Sequence, residues 1–202
     1  MNKYSYVFNN MKFFYYLRDD VDFSVFNEVF KLNEYKVSAD VIKNAKHPIV
    51  DIGAHIGLFS IFAGCLNKEV KIYAIEPENN NFKLLEAHKN ENIFNNWKLF
   101  KCAIGSNKMG VDGYELNISE DSINHKLEPK IKIKNPKLKT QNVRVFSLEE
   151  FLDNNNIDLV SLIKIDIEGG EYDIFENLNE KTLGRIGAFV LEYHDIKTKD
   201  QK

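Results

Sequence analysis

PIVDIGAHIGLFSIF, Pro48 to Phe62, is the stretch whose reading decides the fold. Ile49, Val50 and Ile52 form a short apolar run that breaks at a turn bounded by Gly53 and Gly57; beyond it Leu58, Ile61, Phe62 and Leu66 recur at helical spacing. The stretch reads as strand, tight turn, helix. A turn of this kind after a buried strand lets a ligand lie against bare backbone, and the helix start offers unpaired N–H groups. A small, partly anionic ligand is expected there. The first position of the motif is Asp51, where a dinucleotide-binding fingerprint has glycine, so the loop is D-x-G-x-x-x-G and not G-x-G-x-x-G. A carboxylate at that point suits a ligand with an ammonium group better than a pyrophosphate, which it would repel.

Outward from this unit, Val70–Ile75 is a second expected strand, ending at Glu76-Pro77, and residues 79–92 a helix. Glu76 follows Gly53 by 23 residues and stands at a strand's carboxyl end, where a carboxylate accepts hydrogen bonds from a ribose diol. As a strand-end residue it is expected to matter for binding and little for folding. Trp97–Ile104 reads as a third strand, with Cys102-Ala103 where the adenine of a nucleoside would lie; Ala103 is small enough to leave room for the ring. Residues 106–141 are polar and irregular, an expected loop or hairpin insertion with a short exposed strand at Ile131–Lys134. Ser147-Leu148-Glu149-Glu150 is a capping box that opens a short helix.

Leu159–Ile167 is nearly continuous in apolar residues, as a central strand covered on both faces should be. The acids Asp166, Glu168 and Glu171 surround Gly169-Gly170 at its end, just before another helix. Glu171 has a simple explanation as a first-turn acid favoured by the helix dipole. Asp166 falls at the same sheet edge as Asp51 and Glu76, where open parallel sheets bind ligands. Gly187–Tyr193, a last strand, brings Glu192 and His194 to that edge. Strands alternating with helices in this way define an α/β, Rossmann-like, doubly wound and mostly parallel sheet.

With 44% hydrophobic and 28% charged residues among 202, the chain is an ordinary globular protein, one domain by default. Within it, residues 1–46, rich in irregularly spaced aromatics, are expected to form a helical, aromatic cap on a catalytic unit spanning 47–202. Helices are expected at Asp22–Leu32 and Ser38–Lys43. A net charge of −3 leaves no electrostatic footprint for nucleic acid or an anionic membrane. No apolar run approaches the roughly 20 residues of a membrane span, and the first 20 residues are too polar for a signal peptide, so a cytoplasmic location is expected. Cys65 and Cys102 lie in apolar segments and read as buried free thiols.

VDIGAHIGLFS, AIEP, CAIG, SLEEFL, LIKIDIEGGE and LEYH, in this order, resemble the FkbM-type family of class I S-adenosylmethionine-dependent methyltransferases. The match runs from about Tyr35 to His194. The resemblance implies that Asp51, Gly53 and Gly57 hold the methionine end of the cofactor, with His55 of the same loop among the binding residues. It further implies Glu76 at the ribose, Ala103 at the adenine and Asp166 at the cofactor edge. The implied reaction is methyl transfer to a hydroxyl of a sugar, glycan or other small polar metabolite, giving S-adenosylhomocysteine. His194 is the first candidate for the base, with Asp166 and Glu168 behind it; a divalent cation on the acidic cluster is disfavoured, so no metal ligand is assigned. The sheet of this family usually closes with another helix and two further strands, whereas eight residues follow His194, so either the chain is a piece of a longer protein or the sheet ends early, without its last two strands. A non-catalytic cofactor-binding or interaction domain is the alternative; a nicotinamide-dependent oxidoreductase is disfavoured by Asp51.

Overall fold

The computed structural model describes residues 2–92, 94–106, 114–118, 126–129, 139–167 and 170–192. The chain opens with a hairpin, β1 (Asn2–Phe8) and β2 (Met11–Leu17), antiparallel and in register from Asn2 opposite Leu17 to Phe8 opposite Met11. Its two-residue turn is Asn9-Asn10, both at positive φ (48° and 59°), the conformation that matches the twist of a hairpin and that asparagine tolerates. β2 buries every second side chain, Phe13, Tyr15 and Leu17. α1 (Asp20–Asn27) follows, capped by the Asp19 side chain on the Asp22 N–H, and continues into one wide turn, Glu28–Leu32, ended by Asn33 at φ 56°. α2 (Ala39–Lys43) completes this part. The helices expected before residue 46 thus exist, but the first strands were hidden by aromatics on both faces of the hairpin.

The remaining elements are β3 (Ile49–Ile52), α3 (Leu58–Leu66), β4 (Ile72–Ile75), α4 (Asn79–Asn92), β5 (Trp97–Phe100), β6 (Ala103–Ile104), β7 (Tyr114–Ile118), β8 (Lys126–Pro129), β9 (Lys139–Val143), β10 (Val145–Phe146), α5 (Leu148–Asn154), β11 (Leu162–Ile165), α6 (Glu171–Glu176), α7 (Glu180–Leu183) and β12 (Phe189–Leu191). The main sheet is parallel throughout, in the order β12-β11-β3-β4-β5. This is the α/β, Rossmann-like arrangement expected, with β3 in the middle and β11 beside it. Every residue of β3, β4 and β11 is buried, which is why these strands read as apolar runs and not as alternation.

Two cores sandwich the sheet. Ile49, Ile72 and Leu162 point to the side covered by α3, where the rings of Phe13, Phe26, Phe30 and Phe62 extend the same core into the N-terminal segment. Val50, Ile52, Ile75, Ile163 and Ile165 point to the other side, against Leu148, Phe151 and Leu152 of α5 and Ile174 of α6. Asp51 and Lys164, paired in register, fall on the first side.

The single strand expected over Trp97–Ile104 is two. The chain leaves the main sheet after Phe100, and β6 pairs instead with β10, because Cys102 and Ile104 turn into the second core while the Ala103 N–H donates to the Arg144 carbonyl at 2.9 Å. In the expected insertion, β7, β8 and β9 make a small antiparallel sheet ordered β8-β7-β9; Ile131–Lys134 lies outside the described residues. The capping box is formed, with Ser147 Oγ accepting from the Glu150 N–H (3.1 Å) and Glu150 Oε2 from the Ser147 N–H (2.8 Å). Among the described residues no helix is long and apolar enough to cross a membrane.

Candidate active site

Because β3, β4, β11 and β12 are parallel, their carboxyl ends share one edge, and the candidate residues collect there. The loop after β3 is wound by three residues at positive φ, Gly53 (72°), His55 (51°) and Gly57 (89°). The N–H groups of Gly53 and Ala54 both donate to the Ile75 carbonyl (3.1 and 2.9 Å), pinning the loop to β4. A Cβ on Gly53 would collide with the backbone carbonyl oxygen of Asp166, so this glycine is required by the close passage of the β11 end as well as by its φ. A Cβ on Gly57 would meet Leu85 Cδ1 at 2.5 Å.

Beneath the loop lies a buried charge cluster. Asp51, fully buried, accepts from Ser60 Oγ (2.6 Å) and faces Lys164 Nζ at 3.5 Å. The same ammonium is 3.3 Å from Asp166 Oδ2 and donates to the Gly53 carbonyl at 2.7 Å. Burial works against the charged form of Lys164, but Asp166 and Asp51 outweigh it and hold the ammonium above its ordinary range. Burial pushes the Asp51 carboxyl up, opposed by Lys164 and by the Ser60 hydroxyl. Lys164 was not among the residues singled out in the sequence. A lysine inside an otherwise apolar strand was the available signal, because a buried lysine needs a carboxylate close by.

Glu76 is 5% exposed, less than a strand-end acid should be. Its Oε2 accepts the His55 N–H and its Oε1 the Glu78 N–H, both at 2.8 Å, so two backbone donors fix the carboxyl plane beside the loop. Burial nonetheless pushes its pKa up to about 7. Glu78, in turn, caps α4 by accepting the Asn80 and Asn81 N–H groups at 2.7 Å.

The N-terminal segment reaches the same loop, which sequence spacing did not suggest. Arg18 Nε and Nη2 make a bidentate pair with Asp22 (2.9 and 2.7 Å), and Nη2 lies 3.3 Å from His55 Nε2. Burial pushes the His55 imidazole down to about 3, against the pull of Asp22, so the ring is neutral. His88 of α4, fully buried, ties three parts together: it accepts the Tyr16 N–H at Nε2 (2.7 Å), and its Nδ1 meets the Ile56 carbonyl (2.6 Å). Those partners fix the Nδ1–H tautomer.

Ala103 is buried, with Cys102 and Ile104, at the step from β5 to β6. Asp166 keeps 27% of its side chain exposed at the edge, and Glu192 stands at the end of β12 with its N–H on the Ile165 carbonyl (3.1 Å). Glu171 accepts the Ile167 N–H (3.1 Å) at the start of α6, closing the turn from β11. Glu168 and His194 lie outside the described residues. Among the described residues no three His, Cys, Asp or Glu side chains gather as metal ligands.

The family model of the methyltransferase FkbM domain matches residues 51–202. A protein named Methyltransferase 1, from Beauveria bassiana (strain ARSEF 2860), is 25% identical in an alignment of 163 positions that covers 74% of this chain and 65% of that protein. The solved structure of a precorrin-6y C5,15-methyltransferase from Geobacter metallireducens GS-15 is 18% identical, with a TM-score of 0.40, over 77% of this chain and 61% of that one. The chain spans less than two thirds of the length of either protein. The family match, which begins at Asp51 and takes in the loop, Glu76 and the β11 edge, covers well over half of the residues, and the chain belongs to the FkbM methyltransferase family.

Proposed function

We propose that the chain is an S-adenosylmethionine-dependent O-methyltransferase acting on a hydroxyl of a sugar, glycan or other small polar metabolite. The observation that carries the cofactor assignment is Glu76, a buried carboxylate held by two backbone N–H groups at the carboxyl end of β4, next to a loop wound by Gly53, His55 and Gly57. Two residues further on, Glu78 Oε1 is a buried acceptor atom without a hydrogen-bond partner among the described residues. Acceptors suit the donor groups of the cofactor, the ribose hydroxyls and the ammonium. When bound, the cofactor supplies a methyl group already activated by its sulfonium.

Glu76 receives the ribose hydroxyls. The loop from Gly53 to Gly57, with His55 in it, backs the methionine end, and Asp51, buried under Ser60 and Lys164, acts on that end through its field and not by contact. Ala103 leaves room for the adenine. Much of the acceleration comes from holding the acceptor oxygen in line with the methyl group. The acceptor must also give up a proton, and a placed base contributes roughly 10² to 10⁴ in rate. His194 is the first candidate, since the unperturbed pKa of histidine, about 6.5, suits a base at neutral pH, with the carboxylates Asp166 and Glu168 behind it.

Calorimetric titration with S-adenosylhomocysteine and with NAD tests the cofactor assignment: the first is expected to bind and the second not, and the reverse result overturns it. For the base, S-adenosylhomocysteine release is measured with a panel of polyhydroxylated acceptors. His194→Ala is expected to lower kcat about a hundredfold or more while leaving product affinity within a factor of a few; near-normal turnover removes His194 from the role.

The raised pKa of Glu76 has a readable consequence. The ionised carboxylate accepts hydroxyl donors, so S-adenosylhomocysteine affinity is expected to rise about tenfold between pH 6 and pH 8 as the free site, with its pKa of about 7, loses its proton. Stability runs the other way: a carboxyl whose folded pKa lies above its unfolded value favours the fold at low pH, and that contribution is lost as pH rises toward 7 and beyond. Glu76→Gln is expected to abolish the pH slope of binding. Glu76→Ala is expected to weaken binding by roughly 2 to 4 kcal/mol, about thirtyfold to a thousandfold. A slope that survives in the glutamine variant would assign it to another group.

A further inference from the structure

Arg18 comes from outside the residues that the family model matches, yet its guanidinium lies against the loop after β3. The partner that holds it is fully buried: Asp22 accepts from Arg18 Nε and Nη2, and also from the Arg18 backbone N–H at 2.8 Å. Burial opposes charge on both groups, but their mutual hydrogen bonds prevail, raising the Arg18 pKa and lowering that of Asp22. One edge of the guanidinium is thus consumed. Nη2 also meets His55 Nε2, whereas Nη1 has no hydrogen-bond partner among the described residues, and the side chain keeps 23% of its surface exposed. Nη1, with its two N–H groups, is thus a fixed, pre-oriented donor of the kind that recognises a carboxylate.

The surroundings are mostly acidic, with the Lys164 ammonium held among them by Asp51 and Asp166. The charges of Asp19 and Glu78 act on Arg18, and Asp51, Glu76 and Asp166 stand at the same sheet edge. An amino-acid end next to a sulfonium carries two positive charges and one carboxylate; the acids suit the former, and, with the Lys164 ammonium already held by Asp51, Asp166 and the Gly53 carbonyl, Arg18 keeps a donor for the latter. We propose that Arg18 binds the carboxylate of the cofactor's methionine end, making the N-terminal segment part of the cofactor site; this rests on the cofactor assignment made above.

The test compares two ligands on the whole chain: S-adenosylhomocysteine, and 5′-methylthioadenosine, which keeps adenine, ribose and sulfur but lacks the amino-acid end. Arg18→Gln is expected to weaken S-adenosylhomocysteine about 10- to 100-fold and 5′-methylthioadenosine less than about threefold. Because Arg18→Gln leaves Asp22 buried and unpaired, the double variant Arg18→Gln, Asp22→Asn is measured beside it and is expected to show the same selective loss. Equal weakening of both ligands makes Arg18 a mere prop of the loop, and no weakening of either makes it irrelevant; both results overturn the proposal. Failure of the unaltered chain to bind either ligand overturns the cofactor assignment, and this inference with it.

Discussion

Gly53→Ala is expected to destabilise the chain by at least about 3 kcal/mol, and to abolish binding at the loop. Two effects add. At φ +72° an L side chain is strained by roughly 1 to 2 kcal/mol. In addition, the new methyl group would run into the Asp166 carbonyl oxygen, with the carbonyl carbon and Ile167 Cγ2 each at 2.9 Å, so strand ends and not a flexible side chain must move. The obstruction falls where the Asp166 N–H bonds the Ile52 carbonyl (3.1 Å), and parting the two segments breaks that bond as well. Gly57→Ala serves as the comparison: its φ is also positive, but its obstacle is Leu85 Cδ1, the far end of a side chain that can rotate. Thermal unfolding of both variants checks the order. A Gly53→Ala protein as stable as Gly57→Ala would show that the two strand ends are not held together as described.

Lys164→Met is expected to cost roughly 3 to 5 kcal/mol, the usual penalty for removing one member of a buried ion pair. Lys164 is 3% exposed, pairs with Asp51 and Asp166, and donates to the Gly53 carbonyl. Methionine fills much the same space and leaves Asp51 as a buried carboxylate with only the Ser60 hydroxyl for support. At about 2 to 4 °C per kcal/mol for a chain of this size, the melting temperature should fall by roughly 6 to 20 °C. The loss carries a pH signature. Without the ammonium the Asp51 carboxyl moves further in the direction burial already drives it, upward, so protonation relieves the penalty and the variant should recover as pH is lowered from 8 toward 5. Adding Asp51→Asn should restore part of the stability at pH 8. A melting temperature within about 2 °C of the parent at pH 8 would mean that Lys164 does not compensate a buried charge.

Much of the site's scaffold was readable because its signals are local. An apolar run, two glycines and a helical repeat within 15 residues specify β3, its loop and α3, and Ser147 with Glu150 specify a helix start three residues apart. Glu76 was placed at a strand's end by the same counting, and the common edge of the sheet followed from parallel strands. Its burial did not follow, since that depends on the N–H groups of His55 and Glu78, which the loop's fold turns inward.

The hairpin at residues 2–17 escaped because Phe14 and Tyr16, on the half-buried face of β2, are as apolar as Phe13 and Tyr15 on the buried one, which erases the period of two. The pairing of Lys164 with Asp51 is a matter of register between strands brought together from distant parts of the chain, and a shift of one residue would have turned the lysine into the opposite core. Likewise, Arg18 met His55 only because the hairpin packs its rings into the core of β3 and α3. Periodicity and spacing by themselves determined which residues make strands, turns and helix starts, since those are contests between neighbouring groups. Which charges share a buried space was decided only by the tertiary structure, since a Coulomb interaction depends on distance in space and on the water that packing excludes.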